Sequence, residues 1–317
     1  MTLRIVVLGS AAGGGFPQWN CRCPVCALAW DRDPRVKPRT QSSIAIETGD
    51  DRWTLFNASP DLRSQILATP QIQPRGLRDS PIRSVVLTNG DVDHVDGLIT
   101  LRERSPLTIY ATSEISAIID ANPVYGVLAK DVVARRTVDL GATFQIDDTT
   151  IEFFGVPGKV PLYMETESLK IGDVGGDTVG VDVRKGGSRL VYIPGCAVVN
   201  DDVRARVEGA DALLFDGTVF EDDEMQRAGV GVKTGRRMGH VPLSGAGGSL
   251  EEFKGVNVGR KIYIHINNTN PILIEGSPQR QAVEAAGWEV SEDGLEVALS
   301  DAAGTRHAHG DRGSTAA

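Results

Sequence analysis

The stretch NGDVDHVDGL, residues 89–98, gathers Asp91, Asp93 and His94 in one short loop directly after the apolar run IRSVVLT. Short carboxylates and an imidazole closing on a glycine are donors that a first-row metal ion takes from a loop. Two more residues of the same donor types end apolar runs far along the chain, Asp216 in LLFDGT and His265 in KIYIHINNTNP. Asp93, His94, Asp216 and His265 therefore form a candidate set of two imidazoles and two carboxylates. Two His and one carboxylate on one face of an ion, with other positions open, is the pattern of non-haem Fe(II) oxygen chemistry. A dinuclear zinc hydrolase instead needs a second ion about 3.5–4 Å away. The nearby donors for such an ion, Asn89 and Asp91, lack the imidazoles it prefers. Irving–Williams ordering does not choose iron over zinc, so Fe2+ and Zn2+ both stay open as the active-site metal. Asp91 reads as a ligand, as an acceptor orienting His94, or as a solvated acid.

A second cluster is more local. Cys21, Cys23 and Cys26 fall in the loop NCRCPVC. Three thiolates this close hold tetrahedral Zn2+ when a fourth ligand arrives from elsewhere, and such a closed site has no open position for substrate. Its expected role is structural. Cys196, alone in IPGC, reads as a core thiol or as a residue lining the site. The glycine run 13–15 has no following Lys-Ser/Thr and is not a phosphate loop.

The elements that must position these residues follow from periodicity. LRIVVLG (3–9) and IRSVVLT (82–88) are short β-branched runs expected to be buried strands. SSIAIET and RWTLFNA alternate apolar and polar residues around GDD, a hairpin signal. PDLRSQILA (60–68) has helical spacing with Ser59 as the expected cap, and SEISAIIDA (113–121) with Ser113. LTIYAT, ATFQI, TTIEFFGV, ADALLFDGT and KIYIHI are strand-like, and KGG makes a turn inside TVGVDVRKGGSRLVYIPG. Helices are expected near 246–254 and at 276–286, the latter capped by Ser277. Two sets of strands, each trailing helices, point to an α/β sandwich of two mixed sheets over residues 1–300. The small, polar tail 301–317, with His307 and His309, is expected to be disordered.

The 317 residues carry a net charge of −9 and are 41% hydrophobic, the balance of a globular protein rather than one built to bind nucleic acid. No apolar run approaches the roughly 20 residues of a membrane span, and the start lacks a signal-peptide pattern, so a cytoplasmic location is expected. Clustered reduced thiols agree with that compartment.

With these motifs in hand, the chain resembles the metallo-β-lactamase superfamily and, within it, the pyrroloquinoline quinone (PQQ) biosynthesis B family. GSAAGGGFPQWNCRCPVC (9–26), LTNGDVDHVDGL (87–98), YIPGCAVVND (192–201), LLFDGT (213–218), MGHVPLSG (238–245) and IHINNTNPI (264–272) carry the resemblance in family order. It implies an αββα sandwich. The superfamily's His-x-His-x-Asp-His loop falls on residues 89–94, where Asn89 and Asp91 replace the first two His and Asp93 and His94 remain. A further His expected near FFGVPGKVPLY (153–163) is missing. His240 lies where related phosphodiesterases and tRNA-processing nucleases carry a proton donor, and it could shuttle protons, bind a substrate carboxylate or be a buried structural His; it and Asp91 are the catalytic candidates. Related zinc loops are completed by a His three residues beyond the terminal His. Here that residue is Asn268, which leaves His240, Asn268 or water as the fourth ligand.

The implied activity is that of a metal-dependent, iron-preferring hydroxylase or oxygenase acting with O2 on the small-molecule PQQ precursor made by cross-linking Glu and Tyr. The alternatives are a non-catalytic carrier transporting PQQ or its precursor towards the periplasm, and a zinc hydrolase. Contacts with other proteins of the pathway and a homodimer stay open.

Overall fold

The described residues, 1–167 and 170–300 of the computed structural model, build two seven-stranded sheets packed face to face. The first runs β14 (Glu296–Ser300), β1 (Thr2–Gly9), β2 (Ser43–Gly49), β3 (Arg52–Phe56), β4 (Ile82–Val86), β5 (Leu107–Ala111), β6 (Val133–Thr137). The second runs β13 (Trp288–Val290), β12 (Val258–Ile264), β11 (Ala210–Asp216), β10 (Ser188–Ile193), β9 (Asp173–Lys185), β8 (Thr149–Gly158), β7 (Thr143–Ile146). Each sheet is antiparallel through its hairpins and then parallel, from β3 to β6 and from β10 to β13. The sheets are mixed and flanked by helices, as the strand pattern indicated. The tail 301–317, with the expected disorder and His307 and His309, lies outside the described residues.

The strands separate three apolar layers because successive side chains point to opposite faces. Along β1, Ile5 and Val7 enter the core between the sheets, while Val6 and Leu8 face the helices outside the first sheet. Phe153, Val181, Leu190, Leu214 and Ile264 supply the other side of the central layer. The outer face of the second sheet packs Phe215, Tyr263 and Trp288 with Phe253. A side chain that stays polar at the end of such a strand meets a rim where backbone pairing stops, which is where the candidate ligands sit.

Local chemistry corrects several boundaries. The helix expected over 60–68 spans Leu62–Ala68; Asp61 precedes it without a side-chain cap, and the Ser59 hydroxyl is buried without a partner. Thr112, not Ser113, caps helix Ser113–Ala121, its hydroxyl accepting from the Ile115 N–H, while Ser113 turns to Glu114. A β-extended Thr just before the first turn is better placed to cap than the first helical residue. The helix expected over 246–254 is the single turn Ser249–Glu252. Ser277 caps helix Pro278–Ala285 as expected. Helices Pro24–Trp30 and Asp201–Val207 had no reading from periodicity, being short; Cys23 and Asn200 cap them.

Leu214 is fully buried between the sheets, two residues before Asp216 on β11. We predict that Leu214→Ala lowers the free energy of unfolding by about 2–5 kcal/mol in chemical denaturation. A loss under about 1 kcal/mol would show that this layer is loosely packed.

Candidate metal centre

Three parallel strands deliver the donors. The chain leaving β4 turns through Asn89 into the single helical turn Val92–Val95, which presents Asp93 and His94. Asp216 is the last residue of β11, and His265 follows β12 with a φ of 59°, a left-handed backbone that costs a non-glycine residue free energy. The metal-binding atoms of Asp93, His94 and His265 all lie within 4.8 Å of one another. His265 Nε2 stands 3.0 Å from Asp93 Oδ2, and His94 Nε2 stands 3.8 Å from it. Ligands about 2.1 Å from one ion are separated by roughly 3–3.5 Å, so these distances suit a first-row metal.

The bonds made by the other ring nitrogens fix the imidazoles. Asn89 Oδ1 accepts from His94 Nδ1 at 2.7 Å, which leaves Nε2 as the nitrogen with a lone pair. That Nε2 is buried and has no hydrogen-bond partner. Burial pushes His94 down to about 4, so it is neutral near pH 7 and ready to coordinate. An orphaned buried acceptor facing a carboxylate and a second imidazole is what a cation seat leaves in a polypeptide. Burial would raise Asp93, but the charges of His94 and His265 and the His265 hydrogen bond outweigh it and hold the carboxyl below its ordinary range. His265 is shifted the other way: burial would lower it, and the Asp93 hydrogen bond and charge raise it.

A second trio, Asp216, His240 and His265, adjoins the first and shares His265. Asp216 is saturated by protein: Cys196 N–H donates to Oδ2 at 2.9 Å, Thr218 N–H and hydroxyl to Oδ1 at 3.1 and 2.6 Å, and His240 Nδ1 to Oδ2 at 2.7 Å. Thr218 Oγ1 also lies 2.9 Å from His265 Nδ1 and so turns that ring towards Asp93. Burial would raise Asp216, but the His240 charge and hydrogen bond prevail and keep it ionised. Four bonds already on the Asp216 carboxylate set it apart from Asp93, whose oxygen faces two imidazoles.

Asp91 lines the cavity and accepts from the Leu162 N–H at 3.2 Å. Burial and the neighbouring Asp93 charge raise its carboxyl above the usual range. Cys196 contributes its backbone N–H to Asp216 and buries its thiol against the Val198 carbonyl, so it is a core residue. The cavity measures about 430 Å³ and is lined by Asn89, Asp91, Asp93, Thr218, His240 and His265 on one side and by Lys159, Leu162, Glu165, Lys233 and Met238. Residues 153–163, where a third His was missing, thus bring Lys159 to the cavity. Sequence reasoning treated Asn89 as a lost ligand and overlooked Thr218; both orient the rings that remain.

The sulfurs of Cys21, Cys23 and Cys26 form a third buried trio within 4.8 Å. The Asn268 side-chain amide sits over them, its nitrogen 3.3, 3.9 and 3.3 Å from the three Sγ atoms. Turned over, the same amide presents Oδ1 at the apex of a tetrahedron, an assignment that hydrogen positions alone decide. The Asn268 carbonyl, 3.7 Å from Cys23 and Cys26, is a second oxygen within reach. His240 lies with Asp216 and His265 and not with the three thiols. The Cys23 hydrogen bond holds the Cys26 thiol below its ordinary range, favouring a thiolate there.

The beta-lactamase superfamily domain matches residues 52–266. Coenzyme PQQ synthesis protein B of Methylorubrum populi is 59% identical over 299 residues, covering 94% of this chain and 100% of that protein. The Rhizobium meliloti protein of the same name is 50% identical, over 94% of this chain and 98% of that one. The chain belongs to the coenzyme PQQ synthesis protein B family. The crystal structure of Zn(2+)-bound PqqB from Methylobacterium extorquens superposes with a TM-score of 0.91 at 57% identity, covering 93% of this chain and 99% of that chain. A diphosphatase of the PhnP family, 18% identical with a TM-score of 0.65 over 94% of this chain and 98% of that one, shares the fold alone. The family places this chain in PQQ biosynthesis, with the metallo-β-lactamase fold carrying its site. Among the described residues no helix is long and apolar enough to cross a membrane.

Two outcomes follow from these clusters. Cys23→Ser should remove about one equivalent of zinc and lower the thermal midpoint, whereas Asn268→Ala should speed zinc loss to a chelator without abolishing binding. Unchanged zinc content in Cys23→Ser would exclude the thiol seat. Asn89→Ala should weaken metal binding at His94 by about 10–100-fold in competition with a chelating dye, because the ring loses its fixed tautomer. Unchanged affinity would mean that Asn89 does not orient the ligand.

Proposed function

We propose that this chain is an iron-dependent oxygenase of PQQ biosynthesis that adds oxygen to the aromatic ring of the Glu–Tyr-derived precursor. The observation that carries the reading is the face formed by Asp93, His94 and His265, with the buried His94 Nε2 unpartnered and a small-molecule cavity directly beside it. Two imidazoles and one carboxylate suit Fe2+, with Zn2+ as the alternative occupant of the same donors. When bound, iron supplies the redox chemistry towards O2 that no side chain provides.

The chain's own residues supply the rest. Asn89 and Thr218 hold the two ligand rings in their coordinating orientations. Asp216, fixed by the Cys196 and Thr218 N–H groups, holds His240 through Nδ1, so Nε2 is the nitrogen left for a substrate proton. Asp91, raised by burial, is a carboxyl that can take up a ring proton at the cavity wall. The three thiols with Asn268 take a structural zinc in this reading, and the Zn(2+)-bound relative supports zinc binding within the family. The same reading places the protein in the cytoplasm, acting on a small-molecule precursor and O2.

Supplied anaerobically with Fe2+ and then with O2, a two-electron reductant such as ascorbate and a Tyr-bearing cross-linked precursor, the protein should yield a product heavier by one oxygen, the second oxygen atom leaving as water. His94→Ala and His265→Ala should abolish iron binding and that mass gain while keeping the cysteine-bound zinc. If both variants supported PQQ production as well as the parent, a carrier of PQQ or its precursor would be the better reading.

A further inference from the structure

The cavity that borders the metal face also carries charge which the metal does not use. Lys159, Lys233 and Glu165 line it together. Glu165 Oε1 is 3.1 Å from Lys159 Nζ, and Glu165 Oε2 is 3.6 Å from Lys233 Nζ and 3.0 Å from an Arg237 guanidinium nitrogen. Three cations share this one carboxylate, and among the described residues no other acid lies within ion-pair distance of either lysine. Lys159 is the most buried of the three, with its side chain only 11% exposed, and besides Glu165 its ammonium donates to the Val160 carbonyl. Asp91 lines the same cavity and feels the Lys159 charge, but its carboxylate accepts from the Leu162 N–H and pairs with neither lysine.

A cation taken out of water keeps its free energy low only when an anion and hydrogen-bond acceptors replace the lost hydration. Glu165 does this for one charge and, being held by Arg237 as well, keeps both ammonium groups aimed at one spot. Lysine offers a compact point charge with rotatable donors, suited to a single carboxylate approached from solvent. Lys233, with its side chain 35% exposed, sits towards solvent, and Lys159 lies deeper.

We propose that Lys159 and Lys233 form a carboxylate-recognition subsite that clamps an acid group of the substrate and so fixes the distance between that group and the metal face. The ligand class is a small amino acid with more than one free carboxylate, matching a cavity of about 430 Å³. This rests on the precursor reading above. The stretch from which a superfamily imidazole is missing would then serve substrate binding in place of metal binding.

The test uses the zinc-loaded protein, which cannot turn over, titrated calorimetrically with a cross-linked Glu–Tyr diamino acid and with its methyl esters. The parent should bind the free acid at least about tenfold more tightly than the esters. Lys159→Met and Lys233→Met should each cost about tenfold for the acid and less than about twofold for the esters, with zinc content and thermal midpoint unchanged. Acid binding by the parent should also weaken as salt rises. Equal binding of acid and ester by the parent, no binding of the acid, or equal losses for both ligands in the variants would overturn the subsite. Lys233 is partly exposed, so its variant reports even if Lys159→Met fails to fold. Oxygen insertion is not read in this titration: a parent that prefers the acid but never inserts oxygen would sink the oxygenase and keep the subsite. Oxygen insertion with no acid preference would do the reverse.

Discussion

The hydrogen bond between His94 Nδ1 and Asn89 Oδ1 decides what this site can hold. It commits one ring nitrogen to the protein and leaves the other buried, neutral and without a partner. A buried acceptor of that kind is unfavourable by itself, by about 1–3 kcal/mol, and a cation between it, Asp93 and His265 removes the penalty. The same residue, Asn89, stands where the superfamily loop has an imidazole. One substitution therefore withdraws a ligand from a second metal and tightens the geometry of the first.

Everything around that seat serves to keep donors at fixed positions. The parallel parts of both sheets end on one rim, so residues from β4, β11 and β12 meet there although they are far apart in the chain. His265 holds a strained left-handed backbone, and the Thr218 hydroxyl, which reaches Asp216 and both His240 and His265, ties it to β11. Asp216 receives four donors from its surroundings and belongs with His240 and His265 to the second trio, so the roles of further ligand and of orienter meet in it. The cysteine loop stands apart. It crosses to the loop after β12 through Asn268, three residues beyond His265, so a zinc ion there would brace the loop that carries a ligand of the first site.

Much of this was legible before any coordinates. Three thiols in six residues declare a metal seat because their donors are local, and DVDH does so for the same reason. Asp216 and His265 were visible because each ends an apolar run, and strand ends are where a layered fold exposes polar groups. What stayed hidden depends on direction in space. Asn89 reads as a missing ligand until its carbonyl oxygen is seen on the His94 ring. Thr218 is one hydroxyl among many in the chain, and the Cys196 N–H has no side-chain signature at all. Lys159 and Glu165 come from the connection between β8 and β9 and Lys233 from a loop far along the chain, and no periodicity announces their meeting. Ser59 and Ser113 failed as caps because a cap depends on the backbone angle of its residue, which residue type only biases.

X-ray absorption at the iron edge, with anomalous scattering from crystals grown without oxygen, tests the central claim most directly. One iron should appear between Asp93, His94 and His265, with nitrogen and oxygen neighbours near 2.0–2.2 Å and no second metal close by. Two metals of equal occupancy bridged by Asp216, about 3.5–4 Å apart, would contradict it and return the site to dinuclear hydrolysis.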